Sequence, residues 1–253
     1  MQRSLAIAGI CVLAASVRAW GADVLVAVGA GRVGPWRTEV VLANGTGAET
    51  QVQIGGFAQY LTGCPGLCPV EGADLFPNTS VAFSDDEMVK IGTGILTFYV
   101  SAADGSSLPV SRIRVVNTET PTQAIEIPTV RESAIRAGNF DRLSFPGAVR
   151  NSLGHSNLAL ANLMSPDGPG TGPDLQVRVE AFADDGTSLG VGNFTIGFGQ
   201  TIFLGDILGQ LGVATLDDGS ISVTKVGAEG LLWGTASTVF ANGGVAVSLG
   251  ANP

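Results

Sequence analysis

The sequence predicts an all-β protein made of two tandem immunoglobulin-like antiparallel β-sandwich domains with very short helical turns. Short segments that alternate in polarity or are rich in β-branched residues recur along the chain. Turn signals separate these segments, and the same order of motifs occurs twice. The 36 glycines and a charged fraction of only 14% suit buried strands joined by tight turns.

Eight segments have the pattern expected of strands. They are residues 39–43, 50–54, 95–100 and 111–116 in the first half, and 158–160, 175–182, 221–224 and 235–240 in the second. The turn signals between segments are Asn44-Gly45, Asp104-Gly105, Asp185-Gly186, Asp218-Gly219 and Asn242-Gly243. Two stretches, 84–91 and 203–211, are predicted to be short helices.

An internal repeat relates the two halves. The segment WRTEVVLAN runs from Trp36 to Asn44, and the similar segment GHSNLALAN ends at Asn162. An Asn that ends a strand can bond its own backbone two residues on, which is a structural role that can recur in two modules. We therefore expect Asn44 and Asn162 to occupy equivalent positions, with Leu42 and Leu160 in the two cores.

Two further matches follow in the same order. VAFSDDEM corresponds to TIFLGDIL, and GILTF corresponds to GSISV. This alignment predicts that two phenylalanines are equivalent core residues and that two aspartates are equivalent residues near short helix starts. These pairs are Phe83 with Phe203, and Asp86 with Asp206.

The repeat predicts the domain organisation. Residues 1–19 are a signal peptide, with an alternative end at 21, and residues 23–130 form the first sandwich. Residues 131–140 are a linker and residues 141–250 form the second sandwich. A module of roughly 110 residues is the usual size of a sandwich domain.

The N-terminal segment has the features of a secretory leader. Arg3 is followed by an apolar run over residues 5–16 that is too short to span a bilayer unaided. Small residues place cleavage before Trp20 or Ala22; the alternative is an N-terminal anchor helix. No other apolar run reaches transmembrane length, so we expect a secreted, periplasmic or cell-surface protein without a span in its mature chain.

The remaining cysteines, Cys64 and Cys68, are predicted to form a disulfide. Such bonds persist in oxidising compartments, and Pro65 and Gly66 favour a turn between the two thiols. Two thiolates alone do not complete a zinc site, and the spacing is not that of a C-x-x-C redox motif.

Three motifs resemble those of uncharacterised secreted bacterial proteins with tandem β-sandwich modules. They are the WRTEVVLAN strand, the strand SNLALAN that ends at Asn162, and the hairpin ADDGTSLG at residues 183–190. The second strand has His155 where Arg is common in these proteins, and Ala183 replaces the first Asp of the hairpin. The resemblance covers nearly all of the mature chain and implies fold and export only.

Two motifs suggest enzymes, but their context argues against that interpretation. The glycine-rich segment GAGRVG at residues 29–34 fits a dinucleotide fingerprint, yet Pro35 and a strand follow it where a helix is required. We expect a loop between two strands there. His155, the only histidine, is adjacent to Ser156, and neighbours on a strand point to opposite faces. No catalytic or cofactor-binding residue is assigned, and no cofactor is expected.

Acidic pairs are candidate calcium ligands, although none has EF-hand spacing. These candidates are Asp184, Asp185, Asp217 and Asp218. Local roles in turns are the simpler explanation, so no metal site is assigned. Trp36 is expected to pack over the end of a sandwich rather than to stack on a sugar.

The net charge of −9 makes nucleic acid an improbable partner, because the acidic protein and the phosphate backbone repel one another. The sequence favours an exported, non-catalytic protein with a structural, adhesion or ligand-binding role. Its partner would be an extracellular or envelope ligand, protein or polysaccharide. The alternative is an exported hydrolase with a glycosidase-like pair of carboxylates.

Overall fold

The computed structural model describes residues 24–56, 68–83, 94–102, 108–163 and 172–250. The signal peptide, Cys64, Asp86 and the predicted helix at 84–91 lie outside these residues. Cys68 begins a described strand. The predictions of a cleaved leader and of a Cys64–Cys68 disulfide therefore remain predictions.

The first half of the chain is formed by strands. They are β1 (Val24–Arg32), β2 (Trp36–Ala43), β3 (Thr50–Gly56), β4 (Cys68–Leu75), β5 (Ser80–Phe83), β6 (Gly94–Ala102), β7 (Val110–Asn117), β8 (Ala124–Ile127) and β9 (Val130–Arg131).

The second half begins after a short helix, α1 (Glu132–Gly138). Its strands are β10 (Arg142–Pro146), β11 (Arg150–Asn151), β12 (Gly154–Leu163), β13 (Leu175–Ala183), β14 (Ser188–Ile196), β15 (Thr201–Leu204), β16 (Gly219–Lys225), β17 (Leu231–Phe240) and β18 (Val245–Leu249). A single helical turn, α2 (Ile207–Gln210), lies between β15 and β16.

The prediction of an antiparallel all-β protein is confirmed. All eight predicted strand segments lie within observed strands, and all observed strand pairs are antiparallel. The helix predicted at 203–211 is confirmed only for Ile207–Gln210, because residues 203 and 204 belong to β15. No described helix has the length and apolar character needed to cross a bilayer.

The strands form four sheets, two in each half. In the first half, sheet I has the order β4-β3-β6-β1-β9 and sheet II has the order β5-β2-β7-β8. In the second half, sheet III has the order β10-β16-β13-β14, and sheet IV contains β11-β12-β17-β18 with β15 also paired to β12. The strands of each half are thus divided between two sheets, as in a sandwich.

The two halves pack directly against each other through β1, which is buried on both faces. Val24, Val26 and Val28 belong to the hydrophobic core of the second half, whereas Ala27 and Ala30 belong to that of the first. Alternate residues of a strand point to opposite faces, so one strand serves both cores. Sheet I therefore lies between sheet II and the second half, where β1 contacts β12 and β17 of sheet IV.

A β-bulge at Gly29 lies where β1 contacts sheet IV. The pairing of β1 with β6 shifts in register between Val28 and Ala30, and Gly29 has a φ of 95°. The carbonyl of Val28 accepts a hydrogen bond from the Thr235 hydroxyl of β17 at 2.9 Å. The loop predicted at residues 29–34 is wrong for most of that segment, because strand pairing continues through Arg32 and only a tight turn separates β1 from β2.

Asn44, the residue directly after β2 in the first half, bonds to several backbone groups. Its backbone N–H donates to the carbonyl of Thr79, just before β5. Its side-chain amide donates to the carbonyl of Leu75, where β4 ends, at 2.9 Å, and to that of Ala48, before β3, at 2.7 Å. The buried side chain therefore holds three chain segments together.

Asn162 makes the corresponding contacts in the second half. Its backbone N–H donates to the carbonyl of Gln200, just before β15. Its side-chain amide donates to the carbonyl of Ile196, where β14 ends, at 3.2 Å, and to that of Pro173, before β13, at 3.0 Å. Asn162 therefore connects the end of β12 to the segments before β13 and β15 and to the end of β14, as Asn44 connects the equivalent segments of the first half.

The prediction that Phe203 is a core residue is wrong. Phe83 is buried and lies opposite Val40, but the residue opposite Leu158 in the second half is Leu204. Phe203 is 46% exposed, while Leu204 is 8% exposed. In the alignment that the two asparagines define, Phe83 corresponds to Leu204, one residue later than the sequence match suggested. A shift of one residue in a strand turns every side chain to the other face.

The segment predicted to be a linker is structured. Arg131 pairs with Leu25 of β1, and α1 occupies most of the rest. Ile135 of α1 is fully buried in the core of the second half, and Asn139 closes the helix in the left-handed conformation. A short helix with one buried apolar side chain offers little periodic hydrophobic signal, which is why the sequence pattern suggested a linker.

Candidate functional site

A cleft of about 560 Å³ lies between the two halves. Binding pockets for small molecules commonly have volumes of about 300–1,000 Å³ and occur at domain interfaces. The cleft is formed by one end of the first half, by the outer face of sheet IV, and by the segment that joins β15 to α2.

The floor of the cleft is set by the alternation of two paired strands. Three residues of β12 lie on it, and each is opposite a residue of β17 in the antiparallel register. Leu158 and Leu160, which flank Ala159 on the strand, are buried in the core of the second half. The floor therefore consists of three cross-strand pairs: His155 with Val239, Asn157 with Ser237, and Ala159 with Thr235.

The opposite wall is apolar and belongs to the first half. Val115, Ile125 and Ile127 of β7 and β8 line it together with Trp36 at the start of β2. Trp36 is half-buried against the core of the first half, as predicted for a residue at the end of a sandwich. Because Trp36 also lines the cleft, it can contact a bound molecule.

A network of charged side chains fixes the segment that joins β15 to α2 at the edge of the cleft. The carboxylate of Asp206 accepts from Nε of Arg150 at 2.9 Å and from the backbone N–H of Gly209 at 3.3 Å. The same guanidinium donates through Nη1 to the carbonyls of Val213 and Ala214. Asp206 therefore has a structural role at the start of α2, where its φ is 44°.

A serine, a histidine and an aspartate line the cleft, as in a Ser-His-Asp site, but they are not hydrogen-bonded to one another. His155, Ser237 and Asp206 all line it, but among the described residues no hydrogen bond links any two of these side chains. A triad needs the nucleophile bonded to the base and the base bonded to the acid. The prediction that His155 and Ser156 diverge is confirmed, since Ser156 is buried and bonds Val149 and Thr238.

The candidate calcium ligands are divided between different places. Asp184 and Asp218 line one shallow depression. Asp185 accepts from the backbone N–H of Thr187, a bond that lowers the pKa of this carboxyl below its ordinary value. Asp217 accepts from the side-chain amide of Asn151 at 2.9 Å. In the part of the chain that the structure describes, no group of three or more His, Cys, Asp or Glu side chains is placed to hold a metal ion.

Of the residues singled out in the sequence, Trp36, His155, Phe203 and Asp206 meet at this cleft. Asn44, Phe83 and Asn162 lie elsewhere, in the buried framework. Sequence reasoning missed Asn157 and Ser237, although both lie in segments predicted to be strands or next to one. The alternation of side chains along residues 154–163 predicts a strand with an inner and an outer face. It does not reveal that the first half of the chain lies over the outer face.

The sequence matches no protein-family model, and no curated protein is significantly similar to it.

Proposed function

We propose that the protein is an exported, non-catalytic binding protein of two tandem immunoglobulin-like domains, which holds a small, largely apolar molecule in the cleft between them. The observation that carries this proposal is the cleft itself. It has the volume of a small-molecule site, apolar walls and a few polar groups on its floor.

The equivalence of the halves supports the tandem organisation. The order β4-β3-β6-β1 in sheet I corresponds to β14-β13-β16-β10 in sheet III, and β5-β2-β7-β8 in sheet II corresponds to β15-β12-β17-β18 in sheet IV. The side-chain amides of Asn44 and Asn162 make equivalent hydrogen bonds in the two halves, which agrees with this correspondence. Two copies of one module create a new surface where they meet, and the cleft lies there.

The arrangement of acidic groups favours binding over hydrolysis. A glycosidase uses two carboxyl groups about 5–10 Å apart. Among the described residues that line the cleft, Asp206 is the one carboxylate, and it is already paired with Arg150. We therefore prefer a binding role to the alternative of an exported hydrolase.

Export is tested on the mature chain. We expect cell fractionation to recover the protein outside the cytoplasm and mass spectrometry to find a chain that begins at Trp20 or Ala22. The physical basis is the short apolar run that follows Arg3. Mature protein that still begins at Met1 would contradict this part of the proposal.

Binding in the cleft is tested with the neutral fluorescent probe N-phenyl-1-naphthylamine. We expect saturable binding of one probe per chain. Val239→Trp adds a large side chain to the cleft floor and should weaken binding by at least about tenfold, or about 1.4 kcal/mol. The matched control is Val191→Trp on β14, where Val191 is 45% exposed and lies outside the cleft.

The control should bind the probe as the unchanged protein does. Equal weakening by both substitutions, or no saturable binding by the unchanged protein, would contradict a binding site in this cleft.

A further inference from the structure

The polar groups on the floor of the cleft indicate the chemistry of its ligand. Asn157 is 7% exposed, and its Oδ1 accepts from the backbone N–H of Asp206 at 2.9 Å. This bond fixes the orientation of the side-chain amide, because Nδ2 cannot serve as an acceptor. No described residue accepts from Nδ2, and Asn157 lines the cleft, so its amide offers an unpaired donor to a bound molecule.

Ser237 places a second donor beside the first. It lies directly opposite Asn157 in the register of β12 and β17, and such cross-strand pairs have Cβ atoms about 4.5–5.5 Å apart. Its side chain is half-buried, and no described residue bonds its hydroxyl. Two neighbouring donors can converge on one oxygen that carries two lone pairs, as a carbonyl oxygen does.

The charges around the cleft favour a neutral ligand. The carboxylate of Asp206 is paired with Arg150, whose Nη1 is taken by backbone carbonyls. The carboxylate that lines the cleft is therefore already paired, and Arg150 itself does not line the cleft. The protein as a whole carries a net charge of −9, which disfavours an anion.

We propose that the ligand is a neutral, mainly apolar molecule with one ketone or ester carbonyl, whose oxygen accepts from Nδ2 of Asn157 and from the hydroxyl of Ser237. This inference rests on the proposed binding function and specifies its ligand class. The apolar part of the molecule lies against Val115, Ile125 and Trp36. A donor that a bound molecule covers without accepting from it costs free energy, so the site should discriminate strongly against analogues that lack the matching acceptor.

The test compares two probes that share a carbon skeleton, butyrophenone and butylbenzene, which differ by one carbonyl group. Their dissociation constants are measured by displacement of N-phenyl-1-naphthylamine from the mature protein. Asn157→Asp keeps an oxygen for the Asp206 N–H but removes the donor, and Ser237→Ala removes the hydroxyl. Comparing each variant with both probes cancels differences in the water solubility of the probes.

We expect Asn157→Asp to weaken butyrophenone binding by at least about tenfold, and Ser237→Ala to weaken it by about 3- to 10-fold. Butylbenzene binding should change by less than about twofold in both variants, since it makes no hydrogen bond. Ser237→Ala removes no hydrogen bond between described residues, so its result stands even if Asn157→Asp fails to fold.

Equal changes for the two probes, or an unchanged affinity for butyrophenone, would overturn the assignment of the carbonyl while leaving the proposed binding function in place. Failure of both probes and of the fluorescent probe to bind would overturn the proposed function and this inference together.

Discussion

Leu160→Ala and Leu42→Ala are each expected to lower the free energy of unfolding by about 2–5 kcal/mol. Both side chains are fully buried, Leu160 in the core of the second half and Leu42 in that of the first. Leu160 packs against the backbone of Gly234. A Cβ added to Gly234 would lie 2.6 Å from Cδ2 of Leu160. Such close packing leaves little room for neighbours to fill the cavity. Urea unfolding measures the loss directly.

Leu153→Ala is the matched control, because the same atoms are removed from a side chain that is 67% exposed. Its effect should stay within about 0.5 kcal/mol. A small loss at Leu42 or Leu160, comparable with that at Leu153, would show that these residues do not lie in the cores described above.

Gly29→Ala is expected to lower the free energy of unfolding by roughly 2–4 kcal/mol, because it combines an unfavourable backbone conformation with a steric clash. The φ of Gly29 is 95°, and an added Cβ would lie 3.0 Å from Oγ1 of Thr235 and 3.2 Å from Cβ of Ala159. The substitution acts where β1 meets sheet IV, at the bottom of the cleft. Urea unfolding of the variant gives the size of the loss.

Substitutions at two other glycines allow the cost of the backbone conformation to be measured apart from the cost of the steric clash. Gly186 also has a positive φ, 82°, but an added Cβ there would meet no atom within 4 Å. Gly186→Ala should therefore cost only the backbone term, about 1–2 kcal/mol. Gly45→Ala, at an exposed position without a positive φ or a close neighbour, should have little effect. If Gly29→Ala costs no more than Gly186→Ala, the two halves do not pack as closely at Gly29 as the structure indicates.

The strands could be predicted because each has a local signal. Alternating residues in β13, for example, face the core and the solvent in turn, and an Asp-Gly turn separates this strand from β14. The equivalence of the asparagines at the ends of related strands was also predictable from the matching segments, whereas their long-range bonds to the carbonyls of Leu75 and Ile196 were not. The same reasoning failed at Phe203, because a sequence match cannot fix a strand register to within one residue.

The cleft could not be predicted, because it depends on how the two halves meet. Val24, Val26 and Val28 look like the inward face of one strand, and nothing local indicates that they belong to the core of the other half. Asn157 and Ser237 are far apart in sequence, and only the pairing of β12 with β17 makes them neighbours. α1 was missed because a single buried apolar side chain, Ile135, packs it against the core.

The cleft between the two halves is proposed to bind a small carbonyl-containing molecule. The most direct test is a nuclear magnetic resonance titration of the ¹⁵N-labelled mature protein with butyrophenone, with the Asn157 side-chain amide identified from the Asn157→Asp variant. We predict that this amide and the backbone amides of His155 and Ser237 show the largest shifts and saturate together. Shifts confined to residues away from the cleft, such as Val191 on β14, or the absence of saturable shifts, would contradict the claim.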